Sequence, residues 1–372
     1  MKVLHYVDEN RLSWDRTWIR LIKELTLHGV DNYVVCRSGG TLTGHLRDEK
    51  IEFCVCDVPI AWLPWTALRL GRIMNEVKPD LVHTRLSSAA RIGGWWGKRK
   101  GLPVISTVDK YAKGYYYKNA SFLVPCSYSV RANILSLGFK DEEMQVIHNP
   151  VDSCMYRRDQ KVRLHKRNGL GVAENEMLML AAGWFNEGKG FEDAVRAYAE
   201  FMRNEPILAS KTSLHIVGDG AERDRYVKLI AQLGVGERVT LHPFADDIRP
   251  WLWAADLFIQ PSLRPEGFSL ILLEAMAAGT PAIATNIGGS LDIIENGENG
   301  WLCEPQNYEN LASVIASVVR SPRALYNVAG KAVLSAEKFN VEKVASETIA
   351  MYRRVLDVKR RMSVKEEDVN CQ

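Results

Sequence analysis

Nowhere in the 372 residues does an apolar run approach the ~20 that a membrane-spanning helix requires. The N-terminus passes from Met1-Lys2-Val3-Leu4-His5-Tyr6-Val7 straight into Asp8 and Glu9, without an apolar core of signal-peptide length. A protein that stays inside the cell and crosses no bilayer is expected. No Cys-x-x-Cys pair occurs: Cys36, Cys54, Cys56, Cys126, Cys154, Cys303 and Cys371 are odd in number and scattered, which argues against a disulfide framework or a structural zinc site. They read as reduced, mostly buried thiols of a cytosolic protein. An excess of basic charge is missing too, since 48 Lys and Arg face 45 Asp and Glu for a net of +3, so a dedicated nucleic-acid binder is excluded. The third glycine of a dinucleotide fingerprint is absent after Gly218-Asp219-Gly220, where Arg223 stands, and the first strand is followed by no glycine loop. A nicotinamide or flavin enzyme is therefore disfavoured.

What is present, at 47% hydrophobic and 25% charged residues, is enough for two substantial cores. Short apolar runs alternate with amphipathic segments, the pattern of parallel strands and crossover helices. Lys2–Val7 reads as a strand, and Trp18, Leu21, Ile22 and Leu25 then fall on one helical face that Gly29 can terminate. Further strands are predicted at 32–36, 51–55, 81–83, 104–107, 122–125 and 145–147, with helices near 65–77, 88–98 and 127–137. Residues 152–176 carry many cations and few large apolar residues, as an exposed connection would. A second series follows, with strands at 177–182, 214–217, 239–242, 257–260 and 282–285 and helices near 191–203, 221–233, 248–255, 268–278 and 308–320. The expected division is 1–165 and 166–340, with a helix at about 341–361 packing back on the first half and a flexible tail over 362–372.

One segment concentrates chemistry. Between Phe268 and Ala278 a single charge, Glu274, interrupts an otherwise apolar helix, and an ionised carboxylate there costs several kcal/mol, of order 5, unless something pairs with it. Glu266 stands just ahead, and the amides of Gly267, Phe268, Ser269 and Leu270 would form a helix N-terminus suited to phosphate. A buried Glu274 paired with an internal arginine, with Glu266 as an ordinary first-turn acid, is the plain alternative.

The spacing Glu266-x7-Glu274, with Pro261-Ser262 before it and Glu274-Ala275-Met276-Ala277-Ala278-Gly279-Thr280-Pro281 closing it, resembles the signature of retaining nucleotide-sugar glycosyltransferases of the GT-B fold, family 4. Gly183-Trp184-Phe185 with Lys189-Gly190, His215 to Gly220, Ile287-Gly288-Gly289, Glu295-Asn296-Gly297 and Val146 to Asp152 match in the same order. The resemblance implies an α/β fold of two doubly wound, Rossmann-like domains facing across a cleft. It implies a nucleoside-diphosphate sugar as donor, with Glu274 on the ribose hydroxyls, Glu266 at the donor sugar and reaction centre, and Lys189 at the diphosphate, near Gly183. Asp-x-Asp does not occur, so no metal and no other cofactor is expected. Arg264 could replace the family's arginine, here Trp184; Phe244 could pack beside the base. On the acceptor side, Asn10 and Arg11 lie where the family has a glycine loop, and Asp109 stands in place of its histidine, able to accept but not donate a hydrogen bond when ionised. His83 is a further acceptor-side candidate, although a lone histidine is more often a satisfied structural residue.

The small net charge conceals an asymmetry. Residues 1–170 carry 27 Lys and Arg against 17 Asp and Glu, and the remainder 21 against 28. Cations cluster with aromatics at Trp62, Trp65, Arg69 and Arg72, at Trp95-Trp96 with Lys98-Arg99-Lys100, and around Tyr115-Tyr116-Tyr117, as an anionic membrane surface would favour, or simply as a solvated face with core tryptophans. The expected activity is transfer of a sugar to a glycan or glycolipid precursor of the bacterial cell surface, lipopolysaccharide or similar, by an enzyme peripheral to the inner face of the cytoplasmic membrane. The rival readings are an epimerase or phosphorylase of the same fold and a nucleotide-sugar-binding protein with degraded catalysis. The sequence leaves the oligomeric state open.

Overall fold

The computed structural model describes residues 1–9, 14–60 and 62–370, by backbone alone after Arg361. The chain divides into two compact units, Met1–Pro150 with Phe339–Gln372, and Val151–Lys338. The first holds β1 (Lys2–Val7), α1 (Asp15–Leu27), β2 (Asp31–Cys36), α2 (Leu42–Asp48), β3 (Phe53–Val55), α3 (Leu68–Val77), β4 (Leu81–Arg85), α4 (Ser87–Arg99), β5 (Val104–Val108), β6 (Phe122–Pro125) and α5 (Tyr128–Ser136). Its strands pair in parallel in the order β3-β2-β1-β4-β5-β6. Both faces are covered: Val3 and Val7 of β1 enter a core that includes Trp18, Ile22 and Leu25 of α1, while Leu4 and Tyr6 enter one that includes Leu70 of α3 and Ile92 of α4. A strand buried on both sides has no polar face to keep, which is why β1 from Val3 to Val7 reads as an apolar run broken only by His5, itself buried and bonded to Asn32.

The second unit runs α6 (Ser153–Tyr156), α7 (Gln160–Gly169), β7 (Met177–Ala182), α8 (Phe191–Asn204), α9 (Pro206–Ala209), β8 (Thr212–Val217), α10 (Arg223–Leu233), β9 (Val239–His242), α11 (Arg249–Ala254), β10 (Leu257–Gln260), α12 (Leu270–Ala277), β11 (Ala282–Thr285), α13 (Ser290–Ile293), β12 (Trp301–Cys303), α14 (Tyr308–Val319) and α15 (Pro322–Ala336). Its sheet is again parallel, in the order β12-β11-β10-β7-β8-β9. The chain then returns to the first unit as α16 (Val341–Asn370), whose Val344, Ile349, Tyr352 and Val355 join the core under α1. In each sheet the strand order reverses at one place, between β1 and β4 and between β7 and β10. There the loops leaving neighbouring strands part in opposite directions and open a crevice at the strand C-terminal ends.

Several expectations need correction. Residues 145–147 form no strand: only a single bridge, Leu123 with Met144, and two backbone bonds to Leu123 and Pro125 tie this stretch to β6. The helices α2 and α15 and the strand β12 were not foreseen. Among these, α2 buries only Leu42 and Leu46, and α15 turns Val328, Ala332 and Ala336 inward, too small a stripe to stand out. The 152–176 connection is not an exposed linker. Arg167 is buried, and Arg163 and Arg167 both bond Asp256 and the carbonyls that end α11, so the unit boundary falls after Pro150 rather than after 165. A guanidinium accepts burial when carboxylate and carbonyl oxygens meet its fork of donors. The helix α16 also continues past Arg361, where it was expected to give way to a flexible tail over 362–372.

Candidate active site

The crevice between β7 and β10 collects the residues that the sequence singled out in this unit. After β7 the chain turns at Gly183 and reaches Lys189; after β10 it passes Pro261 and Ser262 to Glu266 and then α12. Lys189 Nζ lies 2.8 Å from a Glu266 carboxylate oxygen, with each side chain about a quarter exposed. The other carboxylate oxygen accepts from Ser262 Oγ and, at 3.3 Å, from the Gln260 amide, whose own oxygen accepts from Ser269 Oγ at 2.7 Å. Three donors from three positions thus hold Glu266 in one orientation. Two glycines make the close approach possible. A Cβ on Gly190 would stand 1.8 Å from the Pro261 carbonyl, and one on Gly288 would stand 2.5 Å from that of Glu266; both have positive φ. The Gly289 amide donates to the Glu266 carbonyl at 2.9 Å.

The helix α12 starts later than expected, at Leu270, so Gly267 and Phe268 precede it. Ser269 occupies the cap position but turns its hydroxyl to Gln260 and offers no side-chain cap. The first-turn amides and the positive end of the helix are therefore directed at the crevice without a capping carboxylate or hydroxyl from Ser269. At the other end Arg158 closes the helix, donating to the carbonyls of Ala278 and Gly279 and to Thr280 Oγ1.

Glu274 keeps some access to solvent, yet its carboxyl is densely surrounded, and burial pushes its pKa up to about 7. Its partner is the phenol of Tyr156, which donates a hydrogen bond to it and so pulls the pKa part of the way back. Among the described residues no arginine pairs with Glu274, so the plain alternative of an internal ion pair does not hold. Burial and the adjacent Glu274 charge raise the Tyr156 phenol well above its ordinary value, so it remains a donor.

In the first unit, Asp109 makes a forked pair with Arg85 at 2.8 and 2.9 Å, and Asn149 donates to it at 3.2 Å. Burial by itself would raise the Asp109 carboxyl, but the Arg85 guanidinium outweighs it and holds the group below the usual range. Arg85 also lies 4.5 Å from the centre of the Trp14 ring. Asp109 is thus an anion with its charge already met. His83 has both ring nitrogens engaged, by Tyr352 and by Thr107 Oγ1 at 2.8 Å; burial, then His5 and Arg85, keep it neutral. Its satisfied position matches the structural alternative and is not that of a free acceptor-side group. Asn10 and Arg11 lie outside the described residues.

Two family models match the chain: that described as "Glycosyl transferases group 1" over residues 162–333 and that described as "Glycosyltransferase Family 4" over residues 15–153. The chain belongs to these glycosyltransferases. A relative named lipopolysaccharide core biosynthesis glycosyltransferase LpsE, from Rhizobium meliloti, is 27% identical over 86% of this chain and 89% of its own. Among solved structures, Anabaena Alr3699/HepE in complex with UDP superposes with a TM-score of 0.84 at 21% identity, covering 95% of this chain and all of that one. The lipopolysaccharide outer core galactosyltransferase WaaB gives 0.74 at 18% identity over 95% of this chain. The fold is GT-B, two Rossmann-like sheets each flanked by helices.

In this glycosyltransferase Trp184 is 62% exposed and Phe244, just past β9, is 65% exposed, both large apolar surfaces left open. Arg264 pairs with Glu187 at 3.2 Å on an exposed surface, so its charge is shared. Sequence reasoning missed Tyr156, Gln260, Arg85 and Asn149 as partners of the singled-out carboxylates. Ser262 and Asn149 stood inside quoted motifs, whereas nothing local marked Tyr156, which reaches Glu274 only through the fold.

Proposed function

We propose that this protein is a metal-independent, retaining glycosyltransferase that moves a sugar from a nucleoside-diphosphate sugar to a glycan or glycolipid precursor of the bacterial cell surface, working at the inner face of the cytoplasmic membrane. The observation that carries the reading is Glu266, oriented by Lys189, Ser262 and Gln260 at the point where the second sheet reverses its order. The crystallised neighbours solved with UDP and with UDP-glucose, and the lipopolysaccharide-core relative, support the donor class and the acceptor class respectively. As the glycosidic bond breaks, negative charge grows on the departing diphosphate. Lys189 and the first-turn amides of α12 then stabilise the transition state more than the ground state. The acceptor oxygen forms its bond to the anomeric carbon on the face the diphosphate leaves, and its proton passes to a phosphate oxygen, giving the glycoside and free nucleoside diphosphate. Glu274 accepts from the ribose hydroxyls, and the absence of Asp-x-Asp from the sequence supports charge compensation by these cations and dipoles.

The test is a thermal-shift panel of nucleoside diphosphates and their sugars, followed by assay of acceptor-dependent nucleotide release. One nucleotide family at ~100 Kd should stabilise the protein by about 2.7 kcal/mol. Full transfer activity in folded Lys189→Ala or Glu274→Ala variants would refute the assignment. Isomerised donor formed without acceptor would instead favour an epimerase.

A further inference from the structure

Three stretches of the first unit contain no aspartate or glutamate at all: 58–75, 86–108 and 110–140. Together they hold Arg69, Arg72, Arg91, Lys98, Arg99, Lys100, Lys110, Lys113 and Lys118, as well as Arg131 and Lys140. In the structure the three meet on α4. The turn Pro64–Thr66 packs on one flank of this helix, where Trp96 Nε1 donates to the Pro64 carbonyl at 3.0 Å, and the turn Gly114–Tyr116 packs on the other, where Arg91 lies 5.6 Å from the centre of the Tyr115 ring. Between them α4 presents Trp95, with Arg99 at 5.5 Å from its ring, and Lys98.

The same surface breaks the usual rule for large apolar side chains. Trp62 is 68% exposed and Trp65 53%, both in the connection from β3 into α3, and Leu68, the first residue of α3, is 59% exposed. Tryptophan is highly buried on average in soluble proteins, and a cluster of exposed apolar residues rimmed by polar ones marks an interaction site. Of the carboxylates that border these stretches, Asp57 accepts from the Ser38 amide at 2.8 Å, Asp109 is held by Arg85 and Asp141 by Arg131, while Glu76 is exposed near the end of α3. An indole sits preferentially at the headgroup level of a bilayer, where its ring meets acyl carbon and its N–H meets water, and cations beside it are drawn to anionic headgroups. Nucleic acid would call for base-stacking rings in a groove; here the most exposed rings of this surface, Trp62 and Trp65, lie on the connection that leads into α3.

We infer that the first unit docks on an anionic lipid bilayer through this surface, with Trp62, Trp65 and Leu68 entering the interface and the cations of α3, α4 and the 110–118 loop lying over the headgroups. The inference rests on the glycosyltransferase reading for its purpose, which is to bring a lipid-borne acceptor to the reacting centre.

The test is flotation of the full-length protein with vesicles of phosphatidylcholine containing about a third phosphatidylglycerol, against vesicles of phosphatidylcholine alone. Binding should need the anionic lipid, and should fall steeply between low salt and 1 M, where the screening length shortens to roughly 3 Å. Arg69→Ala with Arg72→Ala should lower the partition coefficient roughly thirtyfold, on the basis of about a fivefold contribution from each nearby cation. Trp62→Ala with Trp65→Ala should abolish the blue shift of tryptophan emission and the quenching by brominated acyl chains. Trp62 and Trp65 are more than half exposed and Arg69 and Arg72 are exposed, and a melting temperature unchanged in either double variant establishes that the fold is intact.

No flotation at low salt, flotation equal on neutral vesicles, or flotation indifferent to both double variants would overturn the inference. So would tight binding to a soluble polyanion such as heparin with no vesicle binding. Nucleotide-induced thermal stabilisation is read on the same samples. It should survive in both variants, and its absence from the wild-type protein would refute the transferase reading whatever the vesicles show.

Discussion

Glu274 costs the folded protein stability at neutral pH, and in the proposed reaction it is the group that would hold the donor ribose. Its carboxyl is raised from an ordinary 4.5 to about 7, so between those values the folded protein holds a proton that the unfolded chain has released. Stability contributed by this group therefore falls as pH rises through that window and stays low above 7. Glu274→Gln should raise the melting temperature at pH 8, by an equivalent of up to about 3 kcal/mol, while the difference from wild type closes near pH 4. The same variant should bind donor less well at pH 8, and wild-type donor affinity should decline as pH drops below 7 and Glu274 loses its second lone-pair acceptor; titration calorimetry across pH 5.5–8.5 would read both. A gain in stability with undiminished donor affinity would remove the ribose role. Asp109 presents the opposite sign. It neutralises the buried Arg85, so Asp109→Asn should destabilise the first unit by about 3–5 kcal/mol in urea unfolding, because a guanidinium with little solvent access is left uncompensated. Lys189→Ala should lower kcat by roughly 10²–10³ with a smaller change in donor KM, since its contribution grows with charge on the leaving group.

At the level of elements, the active site depends on loops held against each other by missing side chains. Gly190 and Gly288 have left-handed backbones and face carbonyl oxygens at distances no Cβ tolerates. Alanine at either position should destabilise the second unit by at least the roughly 1 kcal/mol that a non-glycine residue incurs at positive φ, and should displace Glu266 as well. The expected result is a lowered melting temperature together with weakened nucleotide binding, and a loss of stability with unchanged binding would count against the packing argument. The β/α elements were legible in the sequence because buried parallel strands are apolar runs and amphipathic helices keep a 3.6-residue period. The misses have physical reasons. The stretch 145–147 has strand-like composition but finds only one side of a partner, and α7 has the charge density of a linker because its arginines are satisfied by Asp256 and carbonyls distant in the chain.

For the whole molecule, the most consequential feature is the return of the chain. The helix α16 supplies Val344, Ala345, Ile349, Met351, Tyr352 and Val355 to the core beneath β1 and β4, and Tyr352 also holds His83. Burial of each large side chain is worth roughly 1.5–3 kcal/mol, so their sum is comparable with the entire stability of an ordinary domain. A chain ending at Lys338 should therefore lose amide-exchange protection throughout β1–β6, and protection retained there would contradict this packing. The sequence by itself determined the fold class, the family, the segment around Glu266 and Glu274, and the opposed charges of the two halves, because each is written in local periodicity, spacing or composition. Only the tertiary structure decided that Tyr156 rather than an arginine meets Glu274, that Lys189 and Glu266 are partners, that Asp109 is already neutralised and His83 already bonded. Those outcomes depend on which residues distant in sequence are brought within hydrogen-bonding reach, and the order of strands in a sheet, not the order of residues in a chain, sets that.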